Sequence, residues 1–258
     1  MDDESPLRTV KSAERVLDVF ELFARRRRHM SHAEIADALS IPKSSLSQLL
    51  ATLVGRGYLE LAADRRNYGL GPSLLALARQ RALLADLVSA ARPVLKRLTR
   101  ACGESSALNL LSADEAEVVC SELGPHRLVS HMREGDRAPL YATSSGKVLL
   151  AFMAESDRSA YLAGLRFDRI TPKTLSSRQA LKSQLDEIRR SGIGYSYEEF
   201  TPGIVGIGVP LFDADDAVVG AINVAMPAVR YGESRRSAIV AHLIDAAKLL
   251  MKEAVQHV

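Results

Sequence analysis

The sequence predicts an α+β protein in which a small winged helix-turn-helix domain precedes a larger mixed α/β domain with a mostly antiparallel sheet. Two observations lead to this fold class. Over the first 71 residues, three short amphipathic helices are followed by a β-hairpin with a basic tip. From Ser105 onwards the apolar residues change from a helical to a strand period, and the strands follow one another locally instead of in regular βαβ repeats. We therefore place the first domain at 1–71, a linker helix at 72–87 and the second domain at 88–258.

Composition excludes several other classes of protein. The chain has 258 residues, of which 47% are hydrophobic and 25% are charged, so it is long enough for two soluble domains of unequal size. A run of about eighteen apolar residues is lacking, and we expect no membrane span. The two cysteines, Cys102 and Cys120, have no metal-binding or redox spacing. They are typical of a reducing compartment, and we expect neither a metal nor a cofactor.

Residues with clear capping chemistry mark the helices of the first domain. A helix is predicted over 12–24, with Ser12 as its N-cap. A second helix begins at Ser31, because Ser31 and Glu34 have the spacing of a capping box. Pro42 is predicted to open the third helix, since proline lacks the amide that the first helical position leaves unpaired. Gly57 is predicted to end it.

The third predicted helix carries a candidate recognition face. Its leucines form one apolar stripe, made of Leu46, Leu49, Leu50 and Leu53. A helix fixed in this way can enter the major groove of DNA and present short polar side chains to the base edges. The candidate DNA-binding residues on it are Lys43, Ser44, Ser45, Ser47 and Gln48. Gln48 can pair with adenine through two hydrogen bonds, and Lys43 can reach a phosphate.

The predicted hairpin adds a second basic element. Arg65 and Arg66 at its tip suit contact with the DNA backbone or the minor groove. The segment 25–66 contains eight Lys or Arg residues against four Asp or Glu residues, whereas the whole chain has a net charge of only +3. The arginine run 25–28 is either a solvated loop or a non-specific phosphate contact. The alternative for the whole domain is a three-helix scaffold whose polar face is merely solvated.

The second domain is predicted to contain local groups of strands separated by helices. Helices 73–81 and 85–102 lead into it, and Pro93 either kinks or splits the second of these. The predicted strands are 105–111, 117–122, 128–133, 194–198, 204–212 and 218–227, and the predicted helices are 144–154, 157–163, 178–190 and 234–255. Leucine-rich sequence between 74 and 87 indicates a partner surface, or else packing against the chain's own second domain.

Segments of both domains resemble the IclR (isocitrate lyase regulator) family of transcriptional regulators. In the first domain these are SAERVLDVFELFA, HAEIADALSIPKSSLSQLLATLVGRGYLE and YGLGPSLLALA. In the second domain they are LYATSSGKVLLAFM and LKSQLDEIRRSGIGYSYEEFTPGIVGIGVPLFDADDAVVGAINVAMP. The resemblance covers about Val10 to Val255, and the order and spacing of the motifs are specific to this family.

The resemblance implies a cytoplasmic regulator that binds double-stranded operator DNA as a homodimer or a dimer of dimers. The second domain is then a GAF-like effector-binding and oligomerisation domain, in which a small organic molecule alters DNA binding or the recruitment of RNA polymerase. In much of the family a His or aromatic residue followed by Arg stands where this chain has Ser47 and Gln48. We therefore expect its operator to differ from those of better-known members.

The segment YATSSGKVLLA predicts an anion site. Ser144 and Ser145 stand at the start of a predicted helix, where free amides and the positive end of the helix dipole attract a carboxylate. Alternatively, Ser144 only caps the helix. The resemblance places further effector contacts on the strand after Gly203 and on the late strand at Asn223 and Ala225.

Other residues of the second domain are candidates for the same site. Glycines 203, 206 and 208 either admit a ligand close to the backbone or mark a bent strand. Asn223 interrupts an apolar strand and needs a partner, which a ligand would supply. Adjacent Glu198 and Glu199 point to opposite faces of a strand, so at most one enters the pocket. The candidate effector-binding residues are Leu128, Ser144, Ser145, Glu198, Gly206, Asn223 and Ala225. The expected ligand is a small, aromatic or aliphatic, carboxylate from a degradative pathway.

Two functions of other classes compete with this interpretation. Ser144 and Lys147 have the Ser-x-x-Lys spacing of some acyl-transfer enzymes, but the companion motifs of those enzymes are missing. His126 and His131 have no third ligand for a metal, so they are interpreted as solvated or core residues. A ligand sensor whose helical head contacts proteins is the other competitor, and the positive segment argues against it. We therefore expect a regulator and not an enzyme.

Overall fold

The computed structural model describes residues 10–63 and 65–255. The chain forms two compact units, the first ending at Ala82 and the second beginning at Leu83. This boundary lies inside one long helix, Pro72–Cys102. Within the described ranges, every helix is too short or too polar to cross a membrane.

The first unit is a winged helix-turn-helix, as predicted. Its helices are α1 (Lys11–Arg26), α2 (His32–Leu39) and α3 (Lys43–Gly55), and its strands are β1 (Met30–Ser31), β2 (Leu59–Leu61) and β3 (Asn67–Leu70). The strands form an antiparallel sheet in the order β1-β3-β2. The predicted leucine stripe holds α3 to the core, because Leu46 and Leu50 are fully buried. The opposite side of α3 is left exposed.

Capping residues define two of these helices as the sequence predicts. The Ser31 hydroxyl accepts a hydrogen bond from the Glu34 amide, and the Glu34 carboxylate accepts one from the Ser31 amide at 2.8 Å. A hydrogen bond from Arg28, at 2.7 Å, helps to lower the pKa of Glu34 to about 2. Gly57 follows the C-cap of α3 with a φ of 72°, the left-handed conformation that suits glycine after a helix end.

Two predicted helix starts are wrong by one or two positions. Val10, and not Ser12, occupies the N-cap of α1, because the helix begins at Lys11 and makes no side-chain cap. Pro42 is the N-cap of α3 and not its first helical residue. Both differences are within the normal ambiguity of helix ends.

The second unit is built on a six-stranded antiparallel sheet. After α4 (Pro72–Cys102) the elements are β4 (Ser105–Ser112), β5 (Glu115–Glu122), β6 (Arg137–Pro139), α5 (Ser144–Phe152), α6 (Glu155–Gly164), α7 (Arg178–Ser191), β7 (Gly194–Tyr197), β8 (Ile204–Phe212), β9 (Val218–Pro227) and α8 (Glu233–Val255). The strand order is β6-β5-β4-β9-β8-β7. Every pairing is antiparallel, as expected from strands that follow one another locally.

Helices cover both faces of this sheet. The second half of α4 and the helix α8 pack against one face, which β8 supplies with Ile207, Val209 and Leu211. On the other face, α5 and α7 build a separate apolar core. The intervening residues of β8, Gly206 and Gly208, face the first turn of α5.

One predicted strand of the second unit is wrong. Residues 128–133 form an irregular connection and not a strand, and the edge of the sheet is β6 instead. The Leu128 carbonyl accepts a hydrogen bond from Arg230 at 2.9 Å, where a strand would have used it in a ladder. A turn closed by Arg133 and Asp136 then redirects the chain towards β6.

The prediction of two helices over 73–81 and 85–102 is wrong. They form one helix, and Pro93 lies inside it without ending it. Buried Leu87, Ala91 and Val94 pack against the sheet on either side of the proline. This packing offsets the backbone hydrogen bond that a proline removes.

We expect Ser31→Ala to loosen α2 without unfolding the protein. Loss of an N-cap side chain costs about 1 kcal/mol, so amide exchange of the peptide covering α2 should accelerate about five-fold. Hydrogen exchange followed by mass spectrometry measures this. Ser44→Ala, which changes an exposed serine of α3, is the matched control and should leave α2 unchanged. Equal rates in the wild type and Ser31→Ala would contradict the role of the cap.

Candidate functional site

The outward face of α3 collects the predicted DNA-contacting side chains. Lys43, Ser44, Ser47 and Gln48 are exposed, whereas Ser45 is half-buried. The Ser47 hydroxyl donates to the Lys43 carbonyl at 2.9 Å and lies 3.0 Å from Nε2 of His32 on α2. Short polar groups therefore stand on one exposed helix face over a leucine core, the arrangement that suits a major groove.

The hairpin β2–β3 forms the wing. Arg65 and Arg66 are both exposed in the turn between its strands, and Arg65 has a φ of 52°. The arginine run 25–28 is not uniform in structure. Arg27 is the C-cap of α1, and Arg28 is bound to Glu34 and to the His29 carbonyl. Arg28 therefore has a structural role in holding the start of α2.

The second unit contains a cavity of about 110 Å³ between the first turn of α5 and the sheet. Its polar lining residues are Asn109, Ser130, Thr143, Ser144, Ser145, Ser196, Thr201 and Asn223. Its apolar lining residues are Ala116, Val118, Met132, Ala138, Phe200, Ile204 and Ala225. Gly206 lies in the wall, and His131, Asp136 and Arg137 are its exposed charged or titratable members. The cavity thus combines an apolar wall with polar groups from several elements.

The first turn of α5 gives the cavity its donor end. Thr143, and not Ser144, caps the helix, because the Thr143 hydroxyl accepts a hydrogen bond from the Gly146 amide at 3.0 Å. Ser144 and Ser145 make no hydrogen bond through hydroxyl or amide to any residue in the described ranges. Within those ranges, no fully buried side-chain oxygen or nitrogen lacks a partner, so both hydroxyls reach the cavity.

The glycines of β8 have a role beyond the two considered from sequence. A Cβ on Gly206 would lie 2.7 Å from the Ser144 hydroxyl oxygen, and one on Gly208 would lie 3.2 Å from the Ser145 nitrogen. These glycines therefore admit the start of α5 itself against the strand. Gly203 instead occupies the turn before β8 with a φ of 75°.

Two asparagines of the sheet add a second polar group to the cavity lining. Asn109 on β4 and Asn223 on β9 are both buried, and Asn109 Nδ2 donates to Asn223 Oδ1 at 2.8 Å. The remaining contact of Asn223 is a long one of 3.5 Å from its Nδ2 to the Met132 sulfur. The pair therefore keeps an acceptor on Asn109 and donor capacity on Asn223 for a molecule in the cavity.

A buried ion pair fixes the loop that forms one wall. Lys147 is fully buried, and its Nζ donates to both Glu199 carboxylate oxygens, at 2.7 and 2.6 Å, to Gln184 at 2.7 Å and to the Tyr195 carbonyl at 3.0 Å. Burial lowers the pKa of Lys147, while the Glu199 carboxylate acts in the opposite direction. Next to Glu199, Phe200 reaches the cavity.

The structure brings five of the seven predicted effector residues together: Ser144, Ser145, Gly206, Asn223 and Ala225 line the cavity. Leu128 does not, because it is exposed on the irregular connection. Glu198 does not either. Its carboxylate pairs with Lys173, which lowers its pKa, and its φ of 61° places it in a turn and not in the predicted strand.

Several lining residues were not predicted from sequence, although one of them, Asn109, could have been. It is an amide in an otherwise apolar strand, the same pattern that singled out Asn223. His131 was interpreted as a solvated or core residue, and it is exposed at the cavity. Phe200 had no such signal, because its position depends on the Lys147–Glu199 pair, which joins residues far apart in the chain.

Both halves of the chain match models of one family. The IclR helix-turn-helix domain matches residues 12–62. The C-terminal domain of the bacterial transcriptional regulator IclR matches residues 81–251. The chain belongs to the IclR family. It is a DNA-binding transcriptional regulator with a C-terminal effector domain, and not an enzyme.

Individual relatives agree with this assignment. The regulator BhcR of Paracoccus denitrificans is 31% identical over 242 residues, which cover 93% of this chain and 86% of BhcR. A crystal structure of a transcriptional regulator from Rhodococcus sp. RHA1 is 28% identical with a TM-score of 0.66 and covers 97% of this chain and 100% of its own. An IclR homologue from Microbacterium hydrocarbonoxydans, solved with 4-hydroxybenzoate, has the same fold at 24% identity and a TM-score of 0.61, covering 95% and 99% of the two chains.

We expect Lys147→Met to destabilise the effector domain by about 3–5 kcal/mol, because it leaves the Glu199 carboxylate buried without its counter-charge. The double variant Lys147→Met/Glu199→Leu should recover most of this loss. Urea denaturation of the full-length protein, followed by circular dichroism, compares them. Lys173→Met, which breaks the exposed pair with Glu198, is the control and should leave the midpoint unchanged. A Lys147→Met midpoint equal to that of the control would refute the stabilising role of the buried Lys147–Glu199 ion pair.

Proposed function

We propose that this regulator binds a small carboxylic acid in the cavity at the start of α5 and that the acid modulates operator binding. One observation carries the proposal. The Ser144 and Ser145 hydroxyls line a cavity at a helix N-terminus and have no hydrogen-bond partner among the described residues. Hydroxyl and amide donors at the positive end of a helix stabilise an anion. Since Thr143 already caps the helix, Ser144 is left for a ligand.

The size of the cavity limits the acid to a small one. A cavity of about 150 Å³ in another protein holds one benzene ring. At about 110 Å³, the pocket suits a ligand of at most about one ring or a short chain. The 4-hydroxybenzoate bound by the Microbacterium homologue is an acid of this class in that protein. The proposal for this chain depends on its own serines.

The asparagine pair favours an acid with a second polar group. Asn109 and Asn223 leave an acceptor and a donor in the wall of the same cavity. An unfunctionalised acid would leave the Asn109 oxygen and an Asn223 N–H desolvated without a further partner, which costs affinity. A hydroxy or oxo acid would satisfy them, and products of degradative pathways commonly carry such groups. We propose that the regulator controls a catabolic operon.

On the DNA side, we propose that Lys43, Ser44, Ser45, Ser47 and Gln48 contact the major groove and that Arg65 and Arg66 contact the backbone or the minor groove. Exposure of the α3 face and of the wing supports this. Ser45 is half-buried, so it is the least able of these residues to reach DNA. The corresponding domains are 1–71, a linker at 72–87 and the effector domain at 88–258.

We also propose that the regulator acts as a homodimer or a dimer of dimers. Leu75 and Leu77 are about half exposed on the linker part of α4, and a partner would cover them. Paired helix-turn-helix heads match two-fold operators. RNA polymerase is a further proposed partner for a form that activates transcription.

A sensor that works only through protein contacts is the remaining alternative. Gel-shift experiments with DNA from upstream of the protein's own gene separate the two functions. The Ser-Lys hydrolase considered from sequence is disfavoured by geometry, because the Lys147 ammonium is committed to four acceptors and cannot act as a base for Ser144.

We expect small hydroxy and oxo acids to bind at least ten-fold more tightly than their primary amides, because the amide has the shape of the acid without its charge. Ser144→Ala and Ser145→Ala should each weaken the acid about ten-fold, the effect of one hydrogen bond to a charged group. Isothermal titration of the full-length protein measures both. Ser191→Ala, at the end of α7, is the control and should bind like the wild type. Tight binding of neutral compounds with no binding of any acid would overturn the proposal.

We expect Gln48→Ala to weaken binding to the cognate upstream DNA by about five-fold or more, with a smaller loss on random DNA, because bidentate base contacts discriminate by about 1–3 kcal/mol. Arg65→Ala and Arg66→Ala should weaken both DNAs and reduce the salt slope by about one each. Gel shifts at several salt concentrations provide these values, with exposed Lys182→Ala of α7 as the control. Equal losses on both DNAs for Gln48→Ala would show that Gln48 does not read bases.

A further inference from the structure

The hydroxyl of Ser47 on the α3 face is held by two groups of the protein itself. It donates to the Lys43 carbonyl one turn earlier, at 2.9 Å. His32, the first residue of α2, places Nε2 3.0 Å from the same oxygen. This contact joins the two helices of the helix-turn-helix at the exposed edge of the recognition face, since Ser47 is exposed and His32 is half-buried.

Both proton arrangements of this contact engage the Ser47 proton inside the protein. If His32 carries its proton on Nε2, it donates to the Ser47 oxygen, and the Ser47 proton goes to the Lys43 carbonyl. If Nε2 is unprotonated, Ser47 donates to Nε2. A serine hydroxyl has one proton and two acceptor positions. In either arrangement, the direction left open towards DNA is a lone pair.

We infer that His32 is a specificity-determining positioning residue that holds Ser47 as a hydrogen-bond acceptor towards DNA. In the major groove, the donors that a base presents are adenine N6 and cytosine N4. Guanine presents acceptors there, and thymine presents an acceptor and a methyl group. Ser47 should therefore select adenine or cytosine on the strand that it contacts. This inference rests on the proposed placement of Ser47 in the major groove.

Without His32, the Ser47 hydroxyl keeps only the Lys43 carbonyl as an internal partner. Where Nε2 of His32 is the acceptor, its loss leaves the carbonyl as the one internal acceptor, and the hydroxyl can then rotate and donate to guanine or thymine at the cost of one neutral hydrogen bond. That cost corresponds to about a five-fold change in preference. Loss of His32 should therefore broaden the operator at one position and leave the other positions and the binding of random DNA unchanged.

Selection from a randomised double-stranded DNA library tests the inference. Full-length wild type, His32→Ala, His32→Gln and Ser47→Ala are each used, and the enriched pools are sequenced. The position that Ser47 reads is the one at which Ser47→Ala loses its base preference. At that position, the wild type should enrich adenine or cytosine about five-fold over guanine or thymine. His32→Ala should lose that enrichment at the same position. His32→Gln should retain it, because its amide also donates and accepts.

Each other outcome has a definite meaning. Unchanged base frequencies in His32→Ala, at the position that Ser47→Ala alters, would overturn the role of His32. Loss of enrichment at every position together with weaker binding of random DNA would also overturn it, since His32 would then serve only the fold. Guanine or thymine preferred by the wild type at the Ser47 position contradicts the acceptor assignment. A wild type that enriches no sequence overturns the DNA-reading proposal itself, which is a distinct result.

Discussion

The effector domain depends on how closely the first turn of α5 approaches the sheet. Gly194 on β7 pairs with Gly208 on β8, and Gly206 lies two residues before it. A Cβ at any of the three would lie between 2.6 and 3.2 Å from atoms of α5, and Ser144 is contacted from all three positions. A Cβ on Gly194 would overlap the Ser144 backbone carbonyl oxygen at 2.7 Å, and a Cβ on Gly206 or Gly208 would require the start of α5 to shift, so glycine suits all three positions. The same approach sets the positions of the two hydroxyls that line the cavity.

The hydrogen bonds of the buried Lys147 ammonium connect the start of α5 to the wall of the cavity. One ammonium joins α5 to α7 through Gln184, to β7 through the Tyr195 carbonyl and to the following loop through Glu199. Moving a charge from water into the protein interior costs free energy, and the hydrogen bonds from the ammonium to its four acceptor atoms offset that cost. The loop residues Phe200 and Thr201, which follow Glu199, line the same cavity as the serines of α5. A ligand in the cavity would therefore contact both α5 and the loop after Glu199, the two segments that the Lys147 ammonium joins.

Much of the fold could be predicted from sequence, because its signals are local. The capping box at Ser31, the leucine stripe of α3 and the alternation along β8 and β9 depend on residues a few positions apart. The errors come from contacts that are distant in the chain. The strand predicted over 128–133 gave way to a connection anchored by Arg230, some hundred residues later. Leu128 and Glu198 failed as lining residues for the same reason, since both belong to segments whose paths distant partners determine.

In the two proposed sites serine would have opposite chemical roles, and its neighbours decide which. At the start of α5, Thr143 supplies the cap, so the hydroxyls of Ser144 and Ser145 remain open to the cavity, which supports the proposed anion site. On α3, the proton of Ser47 is engaged by the Lys43 carbonyl or by His32, which leaves an acceptor. Residue type alone therefore does not predict what a serine on a helix recognises. The deciding quantity is how many of its hydrogen-bonding positions the protein has already filled.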